Sequence, residues 1–498
     1  MNAPTDLLSF NNYIDGQSAP PAAGQYLPVY EPARGTAYAQ HADSSVADVD
    51  AAVAAADSAR HAWAGLAAEE RASWLRRIAD AIEARLEEFA AAESRDSGKP
   101  LALARNVDIP RAVSNFRFFA AQAELFSSEC HEGNGRGLNY TLRQPLGAVA
   151  CISPWNLPLY LLTWKIAPAL AAGNTVVAKP SEVTPCTAWM LGQVCEQIGL
   201  PPGVLNLLQG RGAEAGSRLV THARIKAVSF TGSTATGSAI ASSTATQFKK
   251  LSLEMGGKNA AIVFADADID LAVEELVRGA FSNQGQICLC MSRILVERSV
   301  WTQFRDAYVD RVRQLKVGDP NDPQSNLGAV VSEAHMDKVL GYIALAHDEG
   351  GRLLCGGERV RLPAPLDQGW YIAPTVFDQL PYNCRVNQEE VFGPFTSLMP
   401  FDDERQALSF ANGTVYGLAT SLWTSDLNRA HRMAAELESG IVWINCWMLR
   451  DLRTPFGGLK HSGVGREGGL DAMRFFTEQK NVCVQVQERV PDASSSSQ

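Results

Sequence analysis

The chain has 498 residues, 46% hydrophobic and 20% charged, with a net charge of −10; that length suffices for two or three domains with large buried cores. An acidic balance argues against nucleic acid as a partner, because phosphate binding calls for a basic face. It also means that an anionic substrate would need dedicated arginines to offset the protein's own field. Met1-Asn2-Ala3-Pro4-Thr5-Asp6 lacks the basic and apolar regions of a secretory signal. The most apolar stretch, Leu157 to Ala172, is interrupted by Lys165 and two prolines and falls short of the roughly 18–20 apolar residues a membrane span needs. A soluble, cytoplasmic protein is expected, with neither a nucleic-acid nor a membrane partner. The ten cysteines include no CxxC pair, so reduced thiols packed as small hydrophobes, and no metal site, are expected.

In chain order, Val46 to Ala64 and Glu69 to Ser97 are alanine-rich with helical periodicity, and an apolar-aromatic helix is expected from Val113 to Phe126. Asn139 to Arg143 reads as a strand and Gly147 to Ile152 as a buried one. Strands and helices then alternate: strand Asn174–Ala178, helix Pro185–Ile198, strand Val204–Leu208, helix Ala213–Thr221, strand Ala227–Phe230, helix Thr234–Ser242 and strand Lys250–Leu253. That order predicts βαβ units and a mostly parallel sheet. A second alternating block runs from Ala260 to about Ile444. The tail from Pro491 to Gln498, with four serines in a row, is expected to be disordered.

Three strand ends carry polar or glycine-rich turns: Lys179-Pro180-Ser181-Glu182, Gly210-Arg211-Gly212-Ala213-Glu214-Ala215-Gly216 and Phe230-Thr231-Gly232-Ser233. Such edges are where open α/β sheets bind ligands. Taken alone, GxGxxxG is a weak dinucleotide signal that a simple turn would also explain. Glu182 could accept hydrogen bonds from adenosine ribose hydroxyls and would repel a 2′-phosphate, favouring NAD over NADP. Lys179 could reach the same ribose.

The chemistry centres on Asn283-Gln284-Gly285-Gln286-Ile287-Cys288, a cysteine set behind a polar, glycine-containing turn, and on Glu254 in Leu253-Glu254-Met255-Gly256-Gly257-Lys258. A thiol nucleophile and a carboxylate base are the minimum for covalent catalysis through a thioester.

With Ser153-Pro154-Trp155-Asn156, Glu389-Glu390-Val391-Phe392-Gly393-Pro394 and Pro455-Phe456-Gly457-Gly458 added in order, the chain resembles the aldehyde dehydrogenase superfamily over essentially its whole length. The resemblance implies an α/β fold with a Rossmann-like cofactor domain (residues 1–121 and 147–253), a catalytic domain (254–456) and a small β oligomerisation arm (125–146 and 475–490). A homodimer or homotetramer is then expected. Carried over, Cys288 is the nucleophile, Asn156 an oxyanion donor and Glu254 the base for hydrolysis. NAD would be held by Ile152, Ser153, Pro154, Trp155, Lys179, Ser181, Glu182, Gly212, Phe230, Thr231, Gly232, Ser233, Met255, Gly256, Glu390 and Phe392. Glu254 also disfavours the CoA-acylating members, which typically lack it. No role follows for Cys290. Lys165, in its apolar stretch, could be a structural partner or a tuning charge.

Two segments, Asp108-Ile109-Pro110-Arg111 and Asn445 to Thr454, are similar to the branch that oxidises 2-hydroxymuconic and 2-aminomuconic 6-semialdehydes, products of aromatic ring cleavage. There the matching Arg111 and Arg450 would grip the substrate carboxylate, for which the planar guanidinium fork is suited. Arg117 and Arg453 are the substitutes, and structural pairing of Arg111 and Arg450 with Asp108 and Asp451 is the plainer alternative. The other enzymatic reading is a broader aliphatic or betaine-type aldehyde dehydrogenase. A non-catalytic homologue sits poorly with intact Cys288 and Glu254.

Overall fold

Strands whose side chains are buried on both faces belong in the middle of a parallel sheet, and three segments have that character: Ala148–Ile152, Thr175–Lys179 and Ala227–Thr231. In the computed structural model, which describes residues 7–133 and 136–486, they lie side by side in an eight-stranded sheet. Its order is Gly463–Val464, Lys250–Glu254, Ala227–Thr231, Ala148–Ile152, Thr175–Lys179, Leu205–Leu207, Asn12–Ile14, Gln17–Ala19. The five central strands are parallel, and the pairings at both edges are antiparallel. Register decides what this sheet can do. Ile152 pairs with Lys179, Phe230 with Ile152, and Thr231 with Glu254, so the polar strand ends line up along one edge.

A second sheet of seven strands runs Arg352–Cys355, Thr375–Asp378, Phe395–Phe401, Arg293–Glu297, Ala260–Val263, Ala419–Trp423, Ile441–Ile444, parallel except for its first strand. Cys130–Glu132, Gly137–Pro145 and Thr477–Gln485 form a separate antiparallel sheet. A further small sheet joins Leu8–Phe10, Thr36–Ala42 and Tyr26–Glu31.

Several expectations need correction. Glu69 to Ser97 is two helices, Ala68–Ala84 and Leu86–Ser97, because Arg85 leaves the helical region (φ −113°, ψ 25°). The aromatic helix starts earlier, at Ile109–Leu125, since Pro110 is well tolerated in a first turn. Ala213 to Thr221 is not one regular helix: Gly212–Gly216 winds as a wide π-turn before Ser217–Thr221. The five strands before residue 45 gave no alternation to read: three span only three residues, and burial in the longer Tyr26–Glu31 and Thr36–Ala42 does not alternate strictly. The expectation for residues 491–498 lies outside the described residues. The apolar stretch forms the wholly buried helix Pro158–Ala171, and among the described residues no helix is long and apolar enough to cross a membrane.

Candidate active site

After helix Ile269–Phe281 the chain places three successive residues in the left-handed region: Asn283 (φ 52°), Gln284 (φ 57°) and Gly285 (φ 71°). For a non-glycine residue this costs about 1–2 kcal/mol, and the turn persists because its side chains are anchored. Asn283 Nδ2 donates to the Asn156 carbonyl (3.0 Å), Gln284 Nε2 donates to the Ala329 carbonyl (2.8 Å), and Gln286 Oε1 accepts from the Val331 N–H (3.1 Å). A Cβ on Gly285 would lie 2.0 Å from the Gly393 carbonyl, so no other residue fits.

The turn delivers Cys288, whose carbonyl is held by Asn259 Nδ2 (2.7 Å); the same amide reaches the Cys290 carbonyl (2.9 Å), and Asn259 Oδ1 accepts from Ala419 N–H (3.0 Å). Burial raises the Cys288 thiol above its ordinary pKa, with Glu390 and Glu254 adding to the shift and Arg450 opposing it. The direction of the shift favours the neutral thiol at rest. Cys290 is core: it is buried, its sulfur faces the Ser282 carbonyl, and burial pushes its thiol to about 12.

Glu254 ends its strand deep in the protein, and its Oε1 has no hydrogen-bond partner among the described residues. Burial raises its carboxyl well above the usual range and Glu467 reinforces this, while Lys165, Arg466 and Arg450 work against it. Lys165 is paired: its Nζ sits 2.5 Å from Glu467 Oε1, which also accepts from Ser229 Oγ (3.2 Å). Lys165 is thus both a structural partner and a charge acting on Glu254. Asn156 Nδ2 donates to the Gln286 carbonyl at 2.9 Å. Its amide has a second N–H, which has no partner among the described residues. Beneath it, buried Lys99 donates to the Asn156 carbonyl (3.0 Å) and to Asp108 (2.5 Å).

Along the aligned strand ends lies a cleft of about 440 Å³ lined by Ile152, Ser153, Pro154, Trp155, Lys179, Ser181, Glu182, Gly212, Phe230, Thr231, Gly232 and Ser233. It continues into a pocket of about 220 Å³, where Met255, Gly256, Glu390 and Phe392 join Asn156 and Cys288. The Lys179 ammonium lies 3.3 Å from Glu182, whose other oxygen accepts from the Gly212 N–H (3.3 Å). Burial opposes ionisation of Glu182, but Lys179 and these hydrogen bonds outweigh it and hold the carboxylate below its ordinary pKa. The buried hydroxyls of Ser153 and Thr231 have no partner among the described residues, and Ser233 caps helix Thr234–Thr244, an end suited to phosphate. These features fit a dinucleotide with free ribose hydroxyls.

Glu390 accepts from the Gly257 N–H (2.9 Å). Phe392 takes φ 61°, meets Trp155 edge-on at 5.3 Å, and offers its carbonyl to His335 Nε2 at 2.7 Å. Burial holds His335 down to about 4, so it is neutral. His335, Lys338 and Leu161 line this pocket yet carry no sequence signal beyond a Ser332 cap before helix Glu333–Asp348.

The carboxylates near Arg111 and Arg450 in sequence are taken by other cations. Asp108 belongs to Lys99 and Asp451 to Arg453. Arg117 pairs with Glu83 and Asp80, which removes both substitutes. Among the described residues neither Arg111 nor Arg450 has a carboxylate partner, and Arg111 Nε and Nη2 are buried without any acceptor. Their surroundings are aromatic. Arg111 stands 5.3 Å from the Tyr160 ring and 5.4 Å from Trp164, and Arg450 lies 4.2 Å over Phe456. Asp451 acts on Arg111 only from beyond ion-pair distance, so both guanidiniums stand among rings without a carboxylate in direct contact.

This geometry has known counterparts. Residues 20–482 match the aldehyde dehydrogenase family. The chain belongs to that family. It is 49% identical to 2-aminomuconic semialdehyde dehydrogenase of Danio rerio over 96% of this chain and 98% of that one. Against 2-hydroxymuconic semialdehyde dehydrogenase of Pseudomonas sp. strain CF600 the identity is 45%, over 96% and 100%. Among solved structures, PnpE in complex with nicotinamide adenine dinucleotide superimposes with a TM-score of 0.94 at 41% identity, covering 96% of this chain and 98% of that one; PnpE comes from Pseudomonas sp. WBC-3. This aldehyde dehydrogenase therefore has an NAD-bound relative sharing its whole architecture.

Proposed function

We propose that this aldehyde dehydrogenase oxidises 2-hydroxymuconic 6-semialdehyde, or a close amino or ring-substituted analogue, to the dicarboxylic acid with NAD. The observation that carries the reading is the Arg111–Arg450 pair, two cations without a protein anion on the side of the site where an acid-bearing aldehyde would end. The relatives' names agree with it. NAD, when bound along the strand ends, supplies the two-electron oxidant. Glu182 and Lys179 would hold its adenosine ribose and Glu390 the other ribose.

Cys288 gives up its proton to solvent water and its sulfur bonds to the aldehyde carbon. The resulting oxyanion accepts from the free Asn156 amide N–H and the Cys288 backbone N–H. After oxidation to the thioester, Glu254 takes a proton from water as its oxygen attacks the acyl carbon, and the thiolate leaves. Because Glu254 must be ionised for this and its carboxyl is raised, hydrolysis gains rate as pH rises toward and through that raised value.

The test is turnover of the semialdehyde with NAD, followed as NADH formation and loss of the dienal absorbance. A kcat/KM no better than for hexanal would sink the substrate assignment. The sheet arrangement supports a cofactor unit around the eight-stranded sheet, a catalytic unit around the seven-stranded one, and an arm whose exposed Leu138, Leu142 and Val484 suit a homodimer or homotetramer, which sedimentation would read. The ten unpaired thiols suit a cytoplasmic enzyme.

A further inference from the structure

Helix Ile109–Leu125 presents Arg111 and Asn115 four residues apart, and helix Pro158–Ala171 presents Tyr160 and Trp164 at the same spacing. Residues at that interval share a helix face, and here the two faces meet. Asn115 Nδ2 donates to the Tyr160 carbonyl (3.1 Å) and to Thr163 Oγ1 (3.0 Å), and Thr163 Oγ1 donates to the same carbonyl (3.0 Å). The Tyr160 backbone is fixed, with its ring between the two guanidiniums: Arg111 stands 5.3 Å from the ring, and Arg450 Nη1 donates to its hydroxyl at 2.8 Å.

A phenol that accepts from arginine still has its own proton to donate. Among the described residues nothing takes it. The next residue, Leu161, lines the pocket that holds Cys288, and Arg450, to which the hydroxyl is bonded, acts on both Cys288 and Glu254, so the hydroxyl lies beside the site.

We propose that Tyr160 is a specificity-determining residue: its hydroxyl fixes Arg450 and donates its proton to the acid terminus of the aldehyde, making a third hydrogen-bonding group beside Arg111 and Arg450. The assignment rests on the muconic-type substrate reading. It gives a reason for a tyrosine in a buried, largely apolar helix, where phenylalanine would pack equally well and leave no hydroxyl to satisfy.

The experiment compares kcat/KM for 2-hydroxymuconic semialdehyde and for hexanal in the native enzyme, Tyr160→Phe and Arg450→Ala. Phenylalanine keeps the ring that faces Arg111 and removes only the hydroxyl, and hexanal turnover reports whether the variant is folded. The expected result is a roughly 10-fold or greater fall in the acid-to-neutral ratio for Tyr160→Phe, carried by KM, as for loss of a hydrogen bond to a charged group. A ratio unchanged in Tyr160→Phe, or equal losses on both aldehydes, overturns the role of Tyr160. If the ratio falls for Arg450→Ala but not for Tyr160→Phe, the substrate reading stands without this residue. If it falls for neither variant, both are wrong.

Discussion

The cofactor cleft and the acid end of the site are built by opposite means. The cleft is made of consecutive residues at strand ends, such as Ile152 to Trp155 and Phe230 to Ser233, whose positions follow from sheet register. The proposed acid end gathers residues from three segments, Arg111 from one helix, Tyr160 and Trp164 from another, and Arg450 and Phe456 from the loop after Ile444, and holds them by ring packing and one hydrogen bond. A ligand common to many reactions can be bound by scaffold geometry. A ligand particular to one reaction is recognised by a few side chains that can be exchanged without touching the scaffold.

Substitutions should separate the two regions. The largest effect belongs to neither alone: Cys288→Ala, at the junction, should cut turnover by about 10⁴-fold or more, while NADH fluorescence titration still detects cofactor binding. Asn156→Ala should lower kcat by roughly 10²–10³-fold, the usual cost of one oxyanion donor, on acid and neutral aldehydes alike. If the loss is confined to acid substrates, Asn156 belongs to the acid end instead. Arg450→Ala should raise KM for the muconic-type aldehyde roughly 10–100-fold with a much smaller change for hexanal, and KM for NAD should stay put.

Smaller effects concern protons. Glu467→Gln removes a negative charge that raises Glu254, so the acid limb of the kcat–pH profile should move to lower pH; a shift upward would mean Glu467 acts otherwise. Alkylation of Cys288 in the cofactor-free enzyme should be slow at pH 7 and keep climbing past pH 9, because its thiol is raised. A plateau below pH 8 would contradict the neutral resting thiol.

The same contrast governs what could be read from the residues alone. Cys288, Glu254 and Asn156 sit in short contiguous motifs, and the parallel sheet announced itself through buried β-rich runs alternating with helices. Arg111 and Arg450 were visible as charges in telling segments, but their freedom from Asp108 and Asp451 depended on where Lys99 and Arg453 fall. Tyr160 was hidden in an apolar stretch. Asn259 and His335 act by gripping backbone carbonyls of distant turns, contacts that leave no local pattern. The N-terminal strands were invisible because strands this short hold too few side chains to show period 2.

The close approach of Gly285 to the Gly393 carbonyl joins the turn that aims the nucleophile to the turn that ends in Phe392 and Gly393. Neither can be re-aimed without dragging the other along. Libraries that seek new aldehydes should leave both turns intact and diversify positions 111 and 160 first, because Arg450 also acts on the protonation of Glu254 and Cys288.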